Sequence, residues 1–313
     1  MAYWEKIWRF PNSNEYEWTY AGKYGAKGEK REKKKKATPE QIKKQNQANR
    51  EKMMRRLIKA NFVPDDLWCT LKYPKGTRKP VQEVKVDLKA LLDGMRREYK
   101  KRGEPFKFIY RMEIGERGGI HIHILINRVR GKPETDVLIQ RLWKQGRVNY
   151  ESIYEQGGYE QLANYIVKPP PEEMEGQLSL FPAKDQKELR KYSSSRNLIR
   201  PEPERKEYRR WTLRRLIEEG PKPTPGYYIV KDSIVCGKNP YTGMSYYQYT
   251  ENRIEEINSD SDPGKGADNA DSRPVCHNKP AGQRQRTGAR DVCPPHTEKG
   301  WETVREQTSG RGV

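Results

Sequence analysis

Cysteine and histidine are both scarce, at four each in 313 residues. Cys69, Cys236, Cys276 and Cys293 are too few and too scattered to frame a disulfide scaffold. No apolar run approaches the roughly 20 residues that cross a bilayer. Met1–Phe10 is charged and aromatic, unlike the apolar stretch of a signal peptide. A cytoplasmic protein with no membrane partner is therefore expected. The phosphate-loop pattern GxxxxGK[ST] is absent, so no nucleotide-driven motor is expected in this sequence. Hydrophobic residues are also in short supply, 33% against 34% charged, which excludes one core running the whole length. What the chain has in excess is positive charge: 63 Lys and Arg against 43 Asp and Glu, a formal +20. That excess calls for a polyanionic partner, nucleic acid first.

The charge is uneven. Residues 1–60 carry 17 basic and 7 acidic residues, residues 61–254 carry 37 and 26, and residues 255–313 carry 9 and 10. The first segment reads as a basic aromatic N-terminal arm and helix. Its run Lys27–Lys36 includes Lys33, Lys34, Lys35 and Lys36, and Trp4, Trp8, Trp18, Tyr16, Tyr20 and Tyr24 lie nearby. Cations interleaved with stacking rings suit a strand of nucleic acid, although such a run is often only a solvated face. Thr38-Pro39-Glu40-Gln41 predicts a helix start, with a Thr cap, Pro at the first position and Gln three residues after the cap. The helix extends to about Ala60 and carries Arg55 and Arg56.

Residues 61–168 alternate regularly. Leu67–Tyr73 predicts a strand, and Val84, Leu88, Leu91, Leu92, Met95 and Tyr99 recur at helical spacing before Gly103. Phe106–Ile114 and Ile120–Asn127 alternate strictly around a Gly-rich turn, the pattern of a hairpin. A short helix from Pro133, a strand at Arg147–Ile153 and a helix near Gly158–Lys168 complete the order βαββαβα. The expected class is α+β, an antiparallel sheet with helices packed on one face. A linker follows at 169–184, then a basic helix at Glu204–Glu219 and a hairpin across Tyr227–Tyr249 within an extension spanning 185–254. Residues 255–313 have the composition of a disordered tail.

The strand Ile120-His121-Ile122-His123-Ile124 places both histidines on the face opposite the isoleucines. Facing the isoleucines with Phe108, Tyr110, Met112 and Ile114 forces a register in which Glu113 lies opposite His121. Two imidazoles and a carboxylate on one hairpin face form a candidate metal site. Mixed nitrogen and oxygen ligation suits Mg²⁺ or Mn²⁺, with Zn²⁺ or Co²⁺ as alternatives. Further along, a helical wheel groups Leu162, Ile166, Tyr159, Ala163 and Val167 as a buried face and leaves Tyr165, Gln161 and Lys168 opposite. Tyr165 is then the candidate nucleophile, and Lys168 is placed to hold a phosphate or to favour a phenolate, whose ordinary pKa is about 10.

A bracketed His-x-His strand, an acidic residue before it and a downstream Tyr-x-x-Lys resemble the HUH endonucleases that initiate rolling-circle replication. The apolar-Thr-Leu strand at Trp68–Tyr73 is similar to the first motif of that family, Gly119–Ile126 to the second, and Tyr165 with Lys168 to the third. The wider chain, including Lys191–Leu198, is similar to replication-associated proteins of bacterial mobile elements and filamentous-phage-like replicons. The resemblance implies an RRM or ferredoxin-like core and a bacterial, cytoplasmic protein. It implies metal-dependent nicking and rejoining of single-stranded origin DNA through a 5′-phosphotyrosine, leaving a 3′-OH for a polymerase. Without a phosphate loop, such a protein needs a host helicase. Tyr159, six residues before Tyr165, is a second candidate tyrosine because some relatives use two. With the Lys33–Lys36 run and Arg55 and Arg56, Arg111 and Arg196 complete the expected DNA-binding set.

Gln177-Leu178-Ser179-Leu180-Phe181 resembles the pentapeptide that docks on the bacterial DNA-polymerase sliding clamp, with Leu178, Leu180 and Phe181 as anchors in an extended linker. The alternative is a hydrophobic patch docking on the protein's own core. Cys276-His277 and Cys293-x-x-His296 form a weaker zinc-like pattern in the tail. Rival readings are a relaxase or transposase of the same chemistry, a non-catalytic DNA-binding replication protein, and an RNA-binding module of the same strand order.

Overall fold

A computed structural model of the chain describes residues 2–22, 29–115, 118–153, 159–170, 176, 178–179, 181–208 and 213–254. Among these residues the strands in chain order are β1 (Tyr3–Arg9), β2 (Ser13–Tyr20), β3 (Leu67–Lys72), β4 (Phe108–Ile114), β5 (Ile120–Ile126), β6 (Arg147–Ser152), β7 (Tyr192–Ser194), β8 (Glu204–Tyr208), β9 (Tyr227–Ile229), β10 (Val235–Asn239) and β11 (Met244–Arg253). The helices are α1 (Pro39–Asn61), α2 (Val81–Lys101), α3 (Thr135–Leu142), α4 (Glu160–Val167), α5 (Ala183–Leu189) and α6 (Arg214–Glu219). The protein is α+β, with two antiparallel sheets. Two compact units divide the chain: Lys36–Pro203, and Met1–Lys35 together with Glu204–Val313. No helix among the described residues is long and apolar enough to cross a membrane.

The unit Lys36–Pro203 holds a five-stranded sheet of order β6-β3-β5-β4-β7. Within it, β3-α2-β4-β5-α3-β6 follows the order read from the sequence. The alternation of β5 sends Ile120, Ile122, Ile124 and Ile126 into a core with Met112, Ile114, Leu67, Cys69 and Leu71. Helix α2 closes that core with Leu88, Leu91 and Met95, and α3 with Leu138 and Ile139. The opposite face of the sheet is covered as well. Ile109 and Leu125 pack there against Met54, Leu57 and Ile58 of α1 and Ala163, Ile166 and Val167 of α4. Only α2 and α3 obey the one-face expectation; α1 and α4 take the face that carries the histidines. Helix α1 begins at the predicted cap: Gln41 N–H donates to Thr38 Oγ1 at 3.2 Å, and Thr38 N–H donates to Gln41 Oε1 at 3.0 Å.

The turn into β6 is tightly built. A Cβ added at Gly146 would lie 2.2 Å from the Lys72 carbonyl oxygen. Backbone against backbone cannot yield cheaply, so Gly146→Ala is expected to cost about 2–4 kcal/mol. Urea unfolding of the variant measures this, and an unchanged midpoint would contradict the packing described.

The other unit corrects the expectation of an N-terminal arm. Residues 3–20 form the hairpin β1–β2, with β1 pairing to β8 and β2 to β11 in a sheet of order β10-β11-β2-β1-β8, and β9 pairs with β11. Tyr3, Tyr16, Trp18, Tyr247 and Tyr249 build its core together with Met244 and Leu213. Tyr16 and Tyr249 stack at 4.5 Å and 4°. These rings are core residues and not a stacking platform. The segment expected as one basic helix at Glu204–Glu219 begins as strand β8, and among its described residues the helix is Arg214–Glu219. Pairing with β1 supplies five backbone positions with partners, and that outweighs the helical preference of a charged segment. The predicted hairpin around Asn239 is present as β10–β11. The 255–313 tail and its Cys and His pattern lie outside the described residues.

Candidate active site

The β4–β5 register is the one that the alternation demanded: Glu113 pairs with His121, Met112 with Ile122 and Ile114 with Ile120. Gly115 N–H donates to the Gly119 carbonyl at 2.8 Å and closes the turn. On the helix-covered face of this hairpin, α4 delivers Tyr165. Its hydroxyl donates to Glu113 Oε2 at 2.6 Å and lies 3.0 Å from His123 Nε2. Lys168, just past the end of α4, puts Nζ 3.1 Å from Glu113 Oε1 and 4.0 Å from the centre of the Tyr165 ring. Tyr159 is 4% exposed and sits in the core under α4. The wheel therefore separated the two tyrosines as the packing does.

The electrostatics follow from this geometry. Burial alone would raise the Glu113 carboxyl, but hydrogen bonds with His123, Tyr165 and Lys168 and the Lys168 charge hold it well below the usual carboxylate range. Burial pushes the Tyr165 phenol up, and donation to the Glu113 carboxylate pushes it further. His121 is shifted down by burial, with Lys72 and His123 adding to the effect. At rest the cluster is an ionised carboxylate receiving a neutral phenol. A tyrosine that donates to Glu113 leaves its oxygen free to accept from His123 Nε2–H, and Nδ1 then accepts from the Thr70 hydroxyl at 3.2 Å.

Three supporting residues lie outside the expected set of site residues, although two of them belong to the strand likened to the first motif. Thr70 fixes the His123 ring from the neighbouring strand β3, where the two residues are paired in register. Trp68, two residues earlier on the same face, lies 5.7 Å from the His123 ring at 17° and meets the Tyr165 ring edge-on at 5.8 Å. Alternation along β3 was the available signal, because it puts Trp68 and Thr70 beside the histidine strand. Gly115 lies directly behind His121, and a Cβ there would come within 2.8 Å of His121 Cε1.

Arg111 corrects the expected DNA-binding set. It is 2% exposed, and its Nη1 donates to the carbonyls of Tyr165, Ile166 and Lys168 at 3.1, 3.2 and 2.6 Å. Those carbonyls end α4 and lack helical partners, so Arg111 ties the tyrosine-bearing segment to the strand that carries Glu113. Arg56 is buried as well, at 8% exposed. Lys33, Lys34, Lys35 and Lys36 are exposed, and Arg55 is half-buried. Arg196 is exposed and lines a hollow with Arg96 and Lys100 beside Phe108. Gln177 and Leu180 lie outside the described residues. Leu178 is buried in the core between the sheet and α2, and Phe181 packs against it. These two anchors follow the alternative of a patch docked on the protein's own core.

In donor type, Glu113, His121 and His123 fit a divalent ion: one carboxylate and two imidazoles on one hairpin face. Glu113 Oε2 and His123 Nε2 are 3.4 Å apart. Among the described residues no three such side chains converge closely enough to hold an ion, and the Tyr165 hydroxyl bonds to two of the donors.

The sheet order and the tyrosine-centred cluster define an α+β protein with a tyrosine, a carboxylate, an imidazole and a lysine gathered on one sheet face, under a short helix. Residues 66–170, from the start of β3 to just beyond α4, match the family model for replication-associated proteins of the ORF2 and gene-2-protein type. The match supports a role in the initiation of replication and takes in every member of the cluster. No curated protein and no solved structure matches the chain.

Proposed function

We propose that this protein initiates rolling-circle replication by nicking and rejoining single-stranded DNA, with Tyr165 as the nucleophile. The observation that carries the reading is the tyrosine hydroxyl held at 2.6 Å by an ionised carboxylate and at 3.0 Å by an imidazole, beneath a lysine. A structural tyrosine needs no such company. The phenol is hard to ionise where it sits, so attack requires that its proton move as the new bond forms. Glu113 Oε2 is the acceptor in line for that proton, and the Lys168 ammonium offsets the charge left on the ring.

Tyr165 Oη then bonds to phosphorus, the P–O3′ bond breaks, and O3′ leaves as a hydroxyl by taking the proton that Glu113 received from Tyr165. The product is a 5′-phosphotyrosine and a primer terminus, and attack by a later 3′-OH reverses the step and rejoins the strand. A divalent ion such as Mg²⁺ or Mn²⁺, held by Glu113, His121 and His123, would supply charge stabilisation at the phosphate oxygens. Thr70 and Trp68 orient His123 for that work, and Arg111 fixes the height of Tyr165 above Glu113. An unwound origin supplied by a host helicase completes the scheme.

The Tyr165 hydroxyl bonds to two of the three ligand candidates, so it competes with an ion for them. Tyr165→Phe is therefore expected to bind Mn²⁺ about tenfold more tightly, the worth of one hydrogen bond to a charged group. Isothermal titration with Mn²⁺ reads this without any DNA. Weaker or equal binding by the variant would remove Glu113 and His123 from the ligand set. The nicking reading itself is tested by incubating the protein with Mn²⁺ and origin-derived single-stranded oligonucleotides and looking for a covalent adduct.

A further inference from the structure

A hollow lies beside the cluster. The end of β6 and the start of α4 border it, and its volume is about 760 Å³, within the size range of small-ligand sites. Trp68, Glu151, Glu160, Gln161, Asn164 and Tyr165 are among the residues that line it. Trp68 faces Glu151 across the β3–β6 ladder, which sets a flat ring beside a carboxylate. Glu151 and Glu160 are both exposed. None of the described residues lining the hollow is Lys or Arg.

Those features discriminate between the parts of a nucleotide. With two carboxylates and no Lys or Arg among its described lining residues, the hollow repels a phosphate, whereas an indole and two amides accept a base by stacking and hydrogen bonding. Tyr165 is among the lining residues, and its hydroxyl donates to the Glu113 carboxylate. A strand with its scissile phosphate at that hydroxyl therefore brings a flanking base to the hollow. A carboxylate only accepts hydrogen bonds, so it favours a base with an exocyclic amino group, as in adenine, cytosine or guanine, over thymine.

From this arrangement, and resting on the nickase reading above, we infer that the hollow holds one unpaired base next to the cleaved bond, and that Glu151 selects a base bearing an amino group. Trp68 is the stacking surface. Glu151 makes no hydrogen bond or ion pair with Glu113 or His123 among those described, although its charge adds to the upward shift of the Tyr165 phenol.

The test uses the full chain, Mn²⁺ and a pool of single-stranded oligonucleotides randomised around the nick, with both fragments of each covalent adduct sequenced. Wild type is expected to favour amino-bearing bases over thymine by about tenfold at one position within two nucleotides of the nick. An abasic site at that position should raise KM about tenfold or more. Glu151→Ala should flatten the preference to within about twofold, read as the ratio among bases within the variant's own adducts. Adducts without a flanking preference, or a preference that survives Glu151→Ala, would overturn the base pocket and leave the nickase standing. No adduct from wild type on any sequence would overturn both.

Discussion

Tyr165→Phe should abolish covalent capture of DNA, lowering adduct formation by at least about 10³-fold. It should leave oligonucleotide affinity within about twofold, because only one hydroxyl is lost. That hydroxyl meets Glu113 at 2.6 Å and His123 at 3.0 Å, and no other tyrosine shares these partners among the hydrogen bonds described. Tyr159→Phe makes the contrast. Tyr159 is 4% exposed in the core under α4, so its loss should change stability slightly and adduct formation less than about threefold. A denaturing gel shift with a labelled oligonucleotide reads both variants. A retained adduct in Tyr165→Phe that Tyr159→Phe removes would transfer the chemistry to the buried tyrosine.

Arg111→Met should be nearly as damaging by a different route. The side chain donates to three carbonyls at the end of α4 from a position 2% exposed. Losing the donors leaves buried carbonyls without partners, a cost of about 3 kcal/mol in stability. The catalytic effect comes from position. Tyr165 and Lys168 flank the anchored turn, and a shift of about 1 Å there can cost about 10²-fold in rate. kcat should therefore fall about 100-fold while KM and the salt dependence of binding stay near wild type. Arg111→Lys, with one ammonium in place of a fork, should recover part of kcat. A residue that gripped phosphate would behave otherwise, raising KM and flattening the salt slope. That second pattern would return Arg111 to the DNA-binding set.

The legible parts of this molecule were those in which a short-range pattern has a single physical solution. Strict alternation in Ile120–Ile126 allows one register with Phe108–Ile114, and the register fixes Glu113 opposite His121. The wheel of α4 allows one buried face, and that choice separates Tyr159 from Tyr165. The Thr38 cap is likewise decided within four residues. What escaped depends on partners far away in sequence. β1 pairs locally with β2, but the hairpin joins a larger sheet only because β8, some 200 residues later, and β11 flank it. Without those partners its aromatic and charged residues read as an arm. Tyr16-Glu17-Trp18-Thr19-Tyr20 does alternate with period two, and charge density obscured that signal. Arg111 looked like a cation for DNA because its residue type gives no hint that helix carbonyls wait above it. Leu178 looked like an anchor for a partner until the core offered it a closer one.

The central claim is that Tyr165 becomes covalently joined to the 5′ side of a nick. Mass spectrometry of the tryptic peptide carrying the nucleotide adduct, after reaction with Mn²⁺ and an origin oligonucleotide, tests it most directly. The account predicts a phosphodiester on Tyr165 bearing the 5′ end of the downstream fragment, with a free 3′-OH on the released one. Attachment to Tyr159 or another residue, a linkage through a 3′-phosphate, or cleavage with no peptide adduct would contradict it.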